Sequence, residues 1–178
     1  MPLLQTGTPA PDFTLKATPD QTLTLGELRG RPVVLMFYPA DWSPVCSDQL
    51  ALYEAIRSEF EPYHAAVVGI SVDGVWCHRA FAETRGITFP LLADFEPKGA
   101  VSRRYGAYRV ADGFSERALF VLDSQGVVTW SQVVEPEENP GADGILNALE
   151  EMPARSASSP TSVRNGRSTS ERDGIEGS

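Results

Sequence analysis

The stretch FYPADWSPVC, Phe37 to Cys46, brings a lone cysteine to what reads as the mouth of a helix. Ser43 is a good N-cap residue, and Pro44 suits the first helical position. Val45 and Cys46 then fall in the first turn, among amides with no helical partner and at the positive end of the helix dipole. That setting favours thiolate over thiol, and the thiolate is the nucleophile. A local C-x-x-C dithiol is excluded, because Trp42-Ser43-Pro44-Val45-Cys46 has serine where the first cysteine would stand. Cys46 must react with something else first. Taken singly, the features have plainer readings. A free cysteine often serves as a small buried hydrophobe, and Ser43-Pro44 is also an ordinary helix start.

The remaining chemistry-bearing residues are few. His64 and His78 do not combine with Cys46 and Cys77 into the spacings of a zinc site, so no metal is expected. Neither histidine sits in a motif that would aim it at Cys46 as the base of a cysteine hydrolase. No G-x-G-x-x-G and no Walker-type loop implies a nucleotide cofactor. Tyr38 and Trp42 beside the active stretch either line a pocket or subunit contact, or simply pack. EPEENP, Glu135 to Pro140, reads as a solvated loop.

The elements that must position Cys46 alternate between strand and helix. DFTL (Asp12–Leu15) and TLTL (Thr22–Leu25) predict a short N-terminal hairpin. VVLMFY (Val33–Tyr38) is a continuous β-prone run, as expected of a strand covered on both faces. Ser43 to Phe60 predicts one helix, with Leu52, Ile56 and Phe60 four apart on one face. AAVVGISV (Ala65–Val72) predicts a second buried strand, parallel to the first through a right-handed crossover. A helix over Val75–Arg85, a strand near Phe89–Ala93 and a short helix near Lys98–Tyr105 follow. RALFVLD (Arg117–Asp123) and VVTWSQVV (Val127–Val134) flank the turn SQG, and a last helix spans about Ala142–Glu151. A parallel unit, then an antiparallel hairpin, then a closing helix is the order of a thioredoxin-like α/β fold: a central mixed sheet with flanking helices and an N-terminal β-hairpin.

The chain has 178 residues, enough for one domain with a real core, expected over residues 1–152. Residues 153–178 are rich in Ser, Arg and Gly and poor in large apolar residues, so a disordered tail is expected there. Its last dozen residues read as a vector-derived extension. The net charge of −9 makes nucleic acid and anionic membranes poor partners. No apolar run is long enough to span a bilayer, and MPLLQTGTPAPDF has neither the basic nor the apolar region of a secretory signal. With two cysteines, Cys46 and Cys77, the composition is not that of a disulfide scaffold. A cytoplasmic protein is expected.

Pro39, Ser43 and Cys46 match P-x-x-x-[T/S]-x-x-C, and here the sequence resembles the peroxiredoxins. The likeness extends through APDFTL, the FYP strand end, GISVD, FPLLAD and ERALFVLDSQGVV. The branch it is most similar to is the bacterioferritin-comigratory-protein or AhpE-like one. The resemblance implies a thiol-dependent peroxidase acting on hydrogen peroxide or small organic hydroperoxides. Electrons would come from a thioredoxin-like or low-molecular-weight thiol reductant, with no metal, haem or flavin, in a homodimer. Cys46 would be the peroxidatic nucleophile, and Ser43 would offer its hydroxyl to sulfur and peroxide. Pro39 would shield the thiolate, and Arg117 matches the family's strand arginine. Two positions depart from the family's usual choice: Ser43 stands where threonine is commoner, and Gln49 where many members carry glutamate.

Cys77 is the internal candidate to resolve the sulfenic acid, although related branches usually place a resolving cysteine about a turn later on this helix. It would have to come within bonding distance of Cys46. The alternatives are packing beside Phe81 as core, and attack on the sulfenic acid by an external thiol. The other class of function left open is a thioredoxin-fold redox sensor or binding protein that oxidises once without turnover.

Overall fold

A computed structural model describes residues 2–153; apart from Pro153, the tail expected at residues 153–178 lies outside the described residues. The N-terminal hairpin is β1 (Thr14–Lys16) with β2 (Thr22–Thr24), antiparallel as expected and two residues later at its start. β3 (Val33–Phe37) is buried at every position. The long helix expected after it is instead two pieces, α1 (Pro44–Ala55) and α2 (Arg57–Phe60). Ile56 leaves helical geometry at the junction, with φ −99° and ψ 17°. β4 (Ala66–Ser71), α3 (Val75–Arg85) and β5 (Leu91–Ala93) follow close to their expected positions. α4 is a short helix (Ala100–Arg104), and β6 (Tyr108–Arg109) pairs with β7 (Phe114–Ser115) in a small ribbon with no clear periodic signal. β8 (Arg117–Leu122), β9 (Val128–Val134) and α5 (Asp143–Glu150) close the domain.

The main sheet has the order β2-β1-β5-β4-β3-β8-β9. β4 runs parallel to both β3 and β5, whereas β8 pairs antiparallel with β3 and β9. The parallel centre is covered on both faces, which is why its strands read as unbroken apolar runs. The turn between β8 and β9 places Gly126 at φ +78°, a conformation that favours glycine.

Alternation along the strands divides the core in two. Val34 and Met36 of β3, Leu119 and Val121 of β8, and apolar side chains of α1, α2, α3 and α5 form one cluster. Val33, Leu35, Phe37, Phe120 and Leu122 face the other side, against α4 and the N-terminal segment. Cys46 belongs to the first cluster. Arg117, two residues before Leu119, emerges on that same face by strand alternation. Sheet register thus brings the guanidinium and the sulfur to one side. Among the described residues no helix is long and apolar enough to cross a membrane.

The second cluster is knitted by aromatic edges. Phe120 meets Phe37 at 5.7 Å and Tyr105 at 5.4 Å, both edge-on. Phe120→Ala should therefore lower unfolding free energy by about 3–5 kcal/mol, read from the urea midpoint of the reduced protein. A smaller loss would mean that this side of the sheet collapses into the cavity.

Candidate active site

Ser43 precedes α1 in an extended conformation, with Pro44 as the first helical residue, as the sequence predicts. Its hydroxyl makes no capping bond, however. The first helical hydrogen bond runs from the Ser47 amide to the Ser43 carbonyl at 2.8 Å. Ahead of it stand the amides of Val45 and Cys46 at the positive end of a twelve-residue helix. The buried face of α1 carries Cys46, Gln49, Leu50 and Tyr53; of the expected Leu52, Ile56 and Phe60 stripe, Phe60 in α2 is buried, whereas Leu52 and Ile56 are only partly buried.

The decisive contact comes from β8. Arg117 Nη2 lies 3.4 Å from Cys46 Sγ. The arginine is 1% exposed and the cysteine 0%, which rules out the plain surface role that an isolated arginine usually has. Arg117 Nη1 donates to Gln49 Oε1 at 2.6 Å, and its Nε donates to the Pro136 carbonyl at 3.1 Å. Nη2 also donates to Pro136. The fork is therefore held on two sides and aimed at the sulfur on the third. Gln49 Nε2 in turn reaches Tyr53 Oη at 3.3 Å, and that hydroxyl donates to the Gly141 carbonyl at 2.6 Å. Burial pushes the Tyr53 phenol up to about 12, against the opposing pull of Gln49 and Arg117, so it remains a neutral donor. Pro136 lies in the stretch read as a merely solvated loop. A backbone carbonyl leaves no mark in side-chain pattern, so nothing in the sequence could have revealed it.

A second network fixes the turn that delivers α1. Pro39 is buried at its start. The buried Asp41 carboxylate accepts from Tyr38 Oη at 2.8 Å and lies 2.8 Å from His78 Nδ1 on α3. His78 Nε2 is 3.2 Å from the Leu92 carbonyl of β5. The Asp41 amide donates to Asp73 at 2.9 Å, and Asp73 also accepts from the Ser71 hydroxyl at 2.6 Å. Trp42 follows at φ +66°, a left-handed conformation rare for a large side chain, and its ring stacks edge-on over Phe81 at 5.3 Å. The strained turn is thus over-determined from β4, β5 and α3. Gly69 makes room for it, because a Cβ there would come within 2.7 Å of Leu91 and 3.2 Å of the Tyr38 ring. Burial and the Asp41 charge hold the Tyr38 phenol well above its usual value, so it donates to Asp41 as a neutral hydroxyl. Sequence reasoning named Tyr38 and His78 without a role and missed Asp41. The signal available was a lone aspartate inside the active stretch and a histidine three residues before Phe81 on one helix.

Both cysteines are free thiols; Cys77 is half-buried, whereas Cys46 is fully buried. Its sulfur lies 4.0 Å from the Asp73 carboxylate. Burial first, then the charges of Asp41 and Asp73, push the Cys77 thiol up to about 11. Asp41, Asp73 and Cys77 hold their ligand atoms within 4.8 Å of one another. The two carboxylates, however, are already committed as acceptors to Tyr38, His78, Ser71 and the Asp41 amide.

The chain matches the model of the AhpC/TSA family over residues 6–131. It belongs to that family. It is 37% identical over 137 residues to alkyl hydroperoxide reductase E of Mycobacterium tuberculosis, covering 76% of this chain and 90% of that protein. It is 37% identical over 151 residues to chloroplastic peroxiredoxin Q of Populus jackii, covering 82% and 68%. Among solved structures, peroxidoxin BcpB of M. tuberculosis superposes with a TM-score of 0.75 at 30% identity, covering 85% of this chain and 99% of that one. The expected thioredoxin fold and the peroxiredoxin resemblance both stand.

The Asp41 network carries a stability prediction. Asp41→Ala removes the carboxylate partner of the Tyr38 hydroxyl and of His78 Nδ1, each at a loss of about 1–3 kcal/mol. Guanidinium unfolding of the reduced protein should show that loss, and an unchanged midpoint would mean the turn is held by backbone contacts alone.

Proposed function

We propose that Cys46 is the peroxidatic nucleophile of a thiol-dependent peroxidase. The reaction class belongs to the family: the chain is a peroxiredoxin-type enzyme that reduces peroxides with thiol electrons. The observation that supports the assignment of Cys46 is the buried guanidinium 3.4 Å from its sulfur.

Arg117 favours the thiolate by its charge. The Cys46 thiolate attacks the terminal oxygen of the hydroperoxide in line with the O–O bond. An S–O bond forms as the O–O bond breaks, sulfur loses two electrons, and Cys46 becomes a sulfenic acid. The departing oxygen leaves as alkoxide or hydroxide and takes up a proton as alcohol or water. Charge moves from sulfur to the leaving oxygen, so donors fixed beside both stabilise the transition state more than the ground state. Arg117 supplies Nη2–H there, and in this reading the Val45 and Cys46 amides and the Ser43 hydroxyl supply other donors. Ser43 is free for this task because it makes no capping bond. Pro39, buried at the strand end, keeps water from the sulfur.

A second thiol condenses with the sulfenic acid, releasing water and leaving a disulfide. Cys77 is our candidate for the internal partner, since α3 packs through Phe81 into the same cluster as Cys46. The fully buried Cys46 must move outward to meet it. The finer choices also remain proposals: hydrogen peroxide and small organic hydroperoxides as substrates, a thioredoxin-like or small thiol as reductant, a cytoplasmic setting, and a homodimer. Trp42, Trp76 and Phe95 expose apolar rings near the start of α3, which supports association.

Cys46→Ser should abolish peroxide turnover with a thiol reducing system. Arg117→Met should slow Cys46 oxidation by about 10²–10³-fold in stopped flow, the scale of losing a fixed oxyanion donor. Undiminished rates in either variant would refute the assignment.

One equivalent of hydrogen peroxide should also produce a Cys46–Cys77 disulfide, seen by non-reducing peptide mass mapping. The Cys77 thiol, held up to about 11, is mostly protonated at neutral pH. Disulfide formation should therefore accelerate as pH rises toward that value. If both thiols stay separable after oxidation, an external thiol does the resolving.

A further inference from the structure

Every hydrogen-bonding partner of the Arg117 guanidinium other than Cys46 is electrically neutral: the Gln49 amide oxygen and the Pro136 carbonyl. Among the described residues, no carboxylate lies within ion-pair distance of Arg117. The carboxylates of the adjoining loop, Glu135, Glu137 and Glu138, are exposed, where water and salt screen them. Yet Arg117 is 1% exposed. A buried cation without an anion is strongly unfavourable, so the charge has to be answered from within the site.

We infer that Gln49 is a positioning residue whose neutrality makes the Cys46 thiolate the sole counter-ion of Arg117. This rests on the peroxidatic reading of Cys46. Gln49 is 0% exposed and four residues from Tyr53, so both lie on the inner face of α1 with Cys46. Its orientation is fixed by chemistry: the amide oxygen must face the guanidinium donors, and the amide nitrogen then faces the Tyr53 hydroxyl, whose own proton goes to the Gly141 carbonyl. Gln49 thereby steers Arg117 without sharing its charge. A glutamate at this position would also accept from Arg117 Nη1, but its negative charge would oppose the ionisation of the nearby sulfur. The amide thus separates two tasks that a carboxylate merges: aiming the guanidinium and answering its charge. The sulfur gains an undivided cation. In exchange, the folded site depends on the sulfur being an anion.

That dependence gives a signature that a space-filling glutamine would not produce. Gln49→Glu in a Cys77→Ser background should move the pH profile of the Cys46 thiolate ultraviolet absorbance to higher pH, so that less thiolate is present on its acidic limb. On that limb it should also slow both alkylation and peroxide oxidation, by about tenfold for each unit of that displacement. The same substitution placed on Cys46→Ser, where no thiolate exists, should raise the thermal midpoint, because the new carboxylate answers a cation that the serine leaves unanswered. In the cysteine-bearing protein that gain should be smaller or reversed.

Equal midpoint shifts in the two backgrounds, or an unchanged pH profile of the thiolate absorbance, would overturn the inference and leave the peroxidase reading intact. Peroxide turnover surviving in Cys46→Ser would instead overturn the peroxidase reading, while the midpoint comparison still reports on Gln49.

Discussion

A guanidinium sealed from water beside a sulfur atom is the constraint around which this domain is arranged. Arg117 carries a full charge at 1% exposure, and its tolerance there depends on what surrounds it. Two neutral acceptors fix its plane, and the Cys46 sulfur at 3.4 Å takes the remaining direction. The same low-dielectric setting that makes the charge expensive makes its influence on the sulfur large. Burial, often treated as mere shelter for a catalytic cysteine, here sets the strength of the interaction that activates it.

That arrangement depends on register across the whole sheet. Phe37 pairs with Ala118 and Arg117 with Val134, so the end of β3, the start of β8 and the end of β9 meet at one edge. A one-residue slip of β8 would turn Arg117 to the opposite face, into the cluster around Phe120. The two aromatic-rich halves of the core therefore do more than stabilise. They make the correct register the one in which no charge enters the apolar side.

The reading from sequence reached the strand–helix–strand core because it rests on signals that are strong locally. β3 and β4 are unbroken apolar runs, and α3 was legible to the residue. It failed where local pattern and tertiary geometry part. Ser43, Leu52 and Phe60 read as one continuous helix, but Ile56 breaks it, and Glu61–Tyr63 then turns the chain as a short 3-10 segment ending at left-handed His64. Cys46, Ser43, Pro39 and Arg117 could be named as candidates because a motif and a strand start mark them. Asp41, Tyr53 and the Pro136 carbonyl could not, and Gln49 was marked only as a departure from the family's usual choice, without its contact to Arg117. Each acts by meeting a residue far along the chain, and such meetings have no local periodicity.

The turn from Tyr38 to Ser43 shows why those silent residues matter as much as the marked ones. A cysteine at a helix start gains from the dipole only if the helix points correctly, and α1 is aimed by a left-handed Trp42 that its own sequence does not favour. What holds that conformation is remote: His78 on α3 and Asp73 after β4 grip Asp41, while the Leu92 carbonyl of β5 takes the far nitrogen of His78. Arg117 approaches from the opposite side of β3. The sulfur therefore lies between two clamps on different strands, neither of which contains it. Its reactivity is a property of the sheet that spaces those clamps, and a helix N-terminus alone would not reproduce it.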